Sequence, residues 1–198
     1  PSLREALDSQ KMAAVFQKHL PRFYGHGLQV RSYVAGQIFP KEKETRIKYS
    51  LRIKNGQDLP GEKLILFGQL FFNGDGEQIS SELEEAGLHS FYLPGSDMVF
   101  QIFPSDESLS QLQKLTSPEF MKSFLKENSL SGIGQNLMVE NCHPTLLGYR
   151  LKKRCTLVYE VDLTDQKSGR RQKLKFLVKT GKEGLGQSLH SNLSSLQK

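Results

Sequence analysis

Tryptophan is absent from this 198-residue chain, and cysteine is nearly so. Cys142 and Cys155 make neither a disulfide framework nor a paired metal motif, and they read as reduced, half-buried thiols of a cytosolic protein. Cys142-His143 has no second ligand pair at zinc spacing. No apolar run approaches the ~20 residues that cross a bilayer, and the opening PSLREALDSQ lacks an apolar signal core. The expectation is a cytoplasmic protein without a membrane partner. The five histidines are scattered, and no Ser or Cys nucleophile has an evident base. Asp106-Glu107 is better explained by helix capping than by acid–base work, and Glu82, Glu84 and Glu85 read as a solvated helix face.

The net charge of +6 is unevenly placed. Residues 1–100 carry 12 basic and 12 acidic side chains, whereas 150–182 carry 11 basic against 3 acidic. The positive field belongs to that second stretch and would attract an anion. The stretch reads as a β-hairpin. Leu157, Tyr159, Val161 and Leu163 alternate with Val158, Glu160 and Asp162; Leu174, Phe176 and Val178 alternate with lysines in the second arm; Asp165 to Gly169 is the turn. Arg150, Lys152, Lys153 and Arg154 precede the first arm, and Lys179 ends the second.

Upstream, Leu3 to Leu20 is helical, capped by Ser2 or restarted at Asp8 or Ser9, and Pro21 should stop it. Strands are expected at 29–39, 46–53 and 63–72, a short helix at 78–86, and two short strands at 89–93 and 98–103. Helices at 108–115 and 118–126 and a strand at 136–142 lead into the hairpin, and 184–198 holds a weak helical pattern. The halves match: Tyr49, Leu51 and Ile53 fall on Tyr159, Val161 and Leu163, and Gln10–Leu20 falls on 118–128 at an offset of 108 that aligns Phe16 with Phe124. The fold class is α+β, two tandem units of antiparallel β-meander with flanking helices, divided as 1–103 and 104–198. The copies differ in charge: Lys179 matches Gln69, and Lys152-Lys153-Arg154 matches Glu42-Lys43-Glu44.

GYRLKKRCTLVYEVDL, a polar turn and KLKFLVKTG resemble the small lobe of aminoglycoside phosphotransferase-like proteins, which have a protein-kinase-like fold; FQIFPSDESL, from Phe100 to Leu109, is similar to a segment that precedes such a lobe. The resemblance implies a kinase-small-lobe-like fold, the first copy degenerate, and the nucleotide-binding region of a phosphotransferase. Lys179 would hold the phosphates of ATP or GTP, and Lys152, Lys153 and Arg154 would cover them, with Mg only where a large lobe is supplied. The chain departs from the pattern: the loop's Pro-Gly is replaced near Leu151-Lys152, no helix glutamate is placed to pair with Lys179, and neither His-x-Asp nor Asp-Phe-Gly occurs. By itself the chain should be inactive and would need the catalytic lobe or a partner protein. The alternative is a non-catalytic binding or assembly module engaging an anionic partner, protein or nucleic acid. Nucleic acid is not favoured, because Tyr159 and Phe176 fall on the apolar face instead of among the cations.

Overall fold

A computed structural model describes residues 3–55, 62–128 and 137–181. The chain divides into two compact units, the first ending at Glu107 and the second beginning at Ser108. The architecture is α+β, with one antiparallel sheet of five strands and one of three.

The first unit opens with three helices, α1 (Leu3–Ala6), α2 (Ser9–His19) and α3 (Pro21–Tyr24). Asp8 caps α2, its carboxylate accepting from the backbone N–H groups of Gln10 and Lys11 at 3.0 Å. α2 stops before Pro21, as expected, and Pro21 starts α3, where a missing N–H costs nothing. Strands β1 (Leu28–Pro40), β2 (Glu44–Asn55) and β3 (Glu62–Phe71) form a meander, followed by α4 (Gly76–Glu85), β4 (Ser90–Leu93) and β5 (Met98–Ile102). The sheet order is β1-β2-β3-β5-β4. Alternation in β2 puts Ile47, Tyr49, Leu51 and Ile53 on one face, where they join Met12, Phe16 and Leu20 of the helical segment in the core. The other face carries Phe71 and Val99, packed with Leu83 of α4.

The second unit has α5 (Leu112–Thr116), α6 (Pro118–Asn128) and the meander β6 (Leu137–Arg150), β7 (Arg154–Asp165) and β8 (Arg171–Gly181). The strand expected at 136–142 thus runs on to Arg150, through Pro144 and Gly148. Both residues are tolerable because β6 is an edge strand, and its register shifts at Val139/Asn141 and Leu146/Gly148 absorb the irregularity. The helical pattern at 184–198 lies outside the described residues.

The two meanders share one register. Tyr49 faces Leu66 and Arg46 faces Gln69; 110 residues on, Tyr159 faces Phe176 and Thr156 faces Lys179. Both tyrosines are fully buried. Tyr49 donates its hydroxyl to the Ala6 carbonyl at 2.7 Å, and Tyr159 donates to that of Leu115. Ser117 accepts from the Phe120 N–H as Asp8 does from Lys11. These caps set the helix offset at 109 rather than 108, so Met12 and Phe16 correspond to the buried Met121 and Leu125.

One difference is sharp. A Cβ on Gly68 would sit 2.3 Å from Met98 Cε and 2.9 Å from Tyr49 Cε2, so the position is closed by its neighbours. Gly68→Ala should destabilise the first unit by about 1–3 kcal/mol, as overpacked cores do. Urea midpoints would check this; a stabilised variant would contradict the packing.

Candidate functional site

The site is built on the second sheet. Along β7, Cys155, Leu157, Tyr159, Val161 and Leu163 are buried on one face, with α6 packed on β6 and the Tyr159 ring stacked 5.1 Å from that of Phe176. Burial pushes the Tyr159 phenol well above its ordinary value and raises the Cys142 thiol, so both stay neutral. These aromatics face inward, as the alternation predicts.

The opposite face is open and has two ends. At the end toward the β7–β8 turn, charges are matched across strands: Lys175 reaches Glu160 at 2.8 Å and Lys173 reaches Asp162 at 3.5 Å. Lys175's hydrogen bond holds the Glu160 carboxyl below its usual value, and the backbone N–H groups of Ser168 and Lys167 do the same for Asp165 in the turn. A depression of ≈ 630 Å³ here is lined by Glu140, Asn141, Asp162, Thr164, Arg171 and Lys173, among others. Its mixed charge gives no preference for an anion.

The other end is cationic. Arg150 pairs directly opposite Arg154 across β6 and β7. Arg154 faces Gly181 and Thr156 faces Lys179, which makes Lys179 a diagonal neighbour of Arg154 on the same face. Lys153, Arg154 and Lys179 are exposed, and Lys152 is half-buried in the turn at φ 62, a conformation that a non-glycine residue adopts only under constraint. The structure therefore gathers Lys152, Lys153, Arg154 and Lys179 at one pole and adds Arg150. Residue types hinted at Arg150, but its place opposite Arg154 needed the full length of β6. No Asp or Glu occurs between Thr145 and Tyr159 or between Phe176 and Gly181. Like charges directly opposite on a ladder are unfavourable.

The corresponding end of the first unit is neutralised. Glu44, equivalent to Arg154, lies 2.9 Å from Lys41 and 2.6 Å from Arg46. Burial pushes its carboxyl up, but these cations outweigh burial and hold it below the usual value. Further along, Gln69 is fully buried and donates to Gln101 at 3.3 Å, and Gln101 donates to Glu107 at 2.8 Å. This polar row was missed in the sequence; its signal was glutamine inside two apolar runs. Among the described residues no cluster of three or more His, Cys, Asp or Glu is arranged for a metal, and no helix is long and apolar enough to cross a membrane.

No family model and no curated protein matches the chain. Among solved structures, an Ntf2-like protein involved in plasmid conjugation is similar over 90% of this chain and 84% of that chain, at 12% identity and a TM-score of 0.27; a likeness that loose carries no argument about fold or function. The aminoglycoside phosphotransferase-like expectation, with its nucleotide-binding lobe, ATP-binding and transferase chemistry, is overturned: no kinase-like protein is among the matches. Geometry agrees. The segment expected to cover phosphates is a tight turn, Leu151 to Lys153, closed by the Lys153 N–H donating to the Arg150 carbonyl at 3.0 Å. Leu151 is buried within it, and it offers no glycine for close backbone approach to a phosphate. Lys179 lies exposed on an end strand instead of at the floor of a cleft.

Proposed function

We propose that this chain is a non-catalytic binding module, made of a duplicated helix-and-meander unit, whose second copy docks an acidic protein partner at the pole formed by Arg150, Lys152, Lys153, Arg154 and Lys179. The observation that carries the reading is the Arg150–Arg154 pairing, with Lys179 diagonal to it and no carboxylate in the strand segments around it. Duplication is supported by the shared register and by the paired tyrosine bonds. Protein is preferred over nucleic acid because Tyr159 and Phe176 stack on the apolar face instead of standing among the cations, where bases would stack on them. Exposed charges set rates and salt dependence more than affinity.

The test is titration with a glutamate-rich peptide and, separately, with a DNA duplex, each at two salt concentrations. Peptide binding should weaken with salt, and the Lys153→Glu/Arg154→Glu variant should weaken it roughly tenfold, about 1.4 kcal/mol. Binding indifferent to the variant, or tighter binding of the duplex than of the peptide, overturns the reading.

A further inference from the structure

The shared register makes the first unit a template for what the second leaves open. Pairs from Glu44↔Phe71 to Ile53↔Glu62 recur as Arg154↔Gly181 to Leu163↔Gln172. Residues Phe176 to Thr180 of β8 therefore stand where Leu66 to Leu70 stand in β3. In the first unit those five residues pair on their far side with β5, from Leu66↔Ile102 to Leu70↔Met98, and Met98, Phe100 and Ile102 of β5 are fully buried. Among the described residues β8 ends the sheet of the second unit, and no strand pairs with its outer edge. The consequence shows in burial. Leu66 is 0% exposed, whereas its counterpart Phe176 is only half-buried, as is Leu174; Phe67 is 2% exposed, whereas Leu177 is 42% exposed.

We infer that the outer edge of β8, from Leu174 to Thr180, accepts an antiparallel extended segment of a partner polypeptide. Strand addition satisfies the row of backbone groups that an end strand leaves open. The segment has apolar residues at alternate positions, completing the face that holds Leu174, Phe176 and Val178. Opposite Val178 it has a small residue. In the first unit Phe100 sits opposite Gly68, and a Cβ there would meet Phe100 Cε1 at 3.1 Å, so a valine at the equivalent position takes room that an aromatic ring would need. On the other face the segment is acidic where it passes Lys179, which has no ion-pair partner among the described residues, whereas Lys173 and Lys175 are matched to Asp162 and Glu160. The same lysines disfavour a second copy of this chain, since two β8 edges would set lysine against lysine. The inference names the mode of docking and rests on the register and burial; the basic pole enters only through the partner's charge.

The experiment uses the full chain, isotope-labelled, and a peptide spanning residues 96–104 of this sequence with Val99→Glu, Phe100→Val and Gln101→Glu. Amide shifts and slowed hydrogen exchange should be confined to 174–180. In the first unit the Phe103 N–H donates to Ile65 of β3, whereas the Ile102 N–H donates to His89, away from β3, so the same peptide N-methylated at positions 99, 101 and 103 should bind at least tenfold more weakly. Equal binding of the N-methylated peptide, no change along β8, or β8 amides already slow to exchange on alternate residues of the outer edge without peptide would each overturn the inference. Failure of the pole reading is separate: it appears as absence of salt-dependent shifts at 150–154.

Discussion

Phe16→Ala should cost the first unit about 3–5 kcal/mol, the range for removing a buried aromatic ring. Phe16 is fully buried on α2, and its ring meets Tyr33, Tyr49 and Phe100 edge-on at 5.4, 5.3 and 5.6 Å. Each such pair adds about 0.5–1.5 kcal/mol beyond area burial, so collapse of neighbours into the gap cannot recover the loss. Domain stabilities run to about 5–15 kcal/mol, and the variant leaves the unit close to unfolding. With no tryptophan in the chain, near-ultraviolet circular dichroism of the tyrosines in urea is the measurement. Val34→Ala is the control: that side chain is 65% exposed on β1 and should change stability by under about 0.5 kcal/mol. A Phe16→Ala loss no larger than the control's would mean that the helix does not anchor the sheet.

That core was legible in the sequence because two independent periods agreed, three- and four-residue spacing in Met12, Val15, Phe16 and Leu20 and alternation in Ile47 to Ile53. The β7–β8 hairpin was legible for the same reason, and its turn followed from Asp165, whose carboxylate accepts from the Lys167 and Ser168 N–H groups at 2.8 Å. The length of β6 was not legible. Pro144 and Gly148 punctuate a sequence, and only pairing with β7 shows that an edge strand carries them through. The cap of α2 was open among three residues, and a local carboxylate bond decided it for Asp8. Candidate cations were visible as composition, but their grouping depends on register, which places Arg150 opposite Arg154 and Lys179 diagonal to it. The kinase-like resemblance failed at this level. Basic residues alternating with apolar ones describe any solvated strand, and lysines on an end strand also guard it against unwanted pairing. Such a pattern holds no information about a phosphate cleft unless a glycine-lined loop and a buried lysine accompany it.

Tyr159 separates ring from hydroxyl in the second unit. Its ring is fully buried against Phe176, and its hydroxyl donates to the Leu115 carbonyl, tying β7 to α5. Tyr159→Ala removes the ring and should cost about 3–5 kcal/mol. Tyr159→Phe keeps the ring and leaves the carbonyl in an enclosed place without its donor, a loss of about 1–3 kcal/mol. Tyr49→Phe should cost the first unit a similar amount, because its hydroxyl makes the corresponding bond to Ala6 at 2.7 Å. Alkaline titration gives a second readout. Burial raises both phenols in the folded chain above the ordinary value of 10.0. The unfolded chain therefore releases these protons first, and the stability that the neutral phenols contribute is complete below pH 10 and declines as pH rises above it. Each Tyr→Phe variant should lose its share of that decline while keeping the rest of the profile. The measurement is urea unfolding of wild type and the two variants between pH 7 and 11. Unchanged stability of Tyr159→Phe at pH 7, together with an unchanged alkaline slope, would show that the hydroxyl bond contributes nothing and that Tyr159 stabilises its own unit by its ring alone.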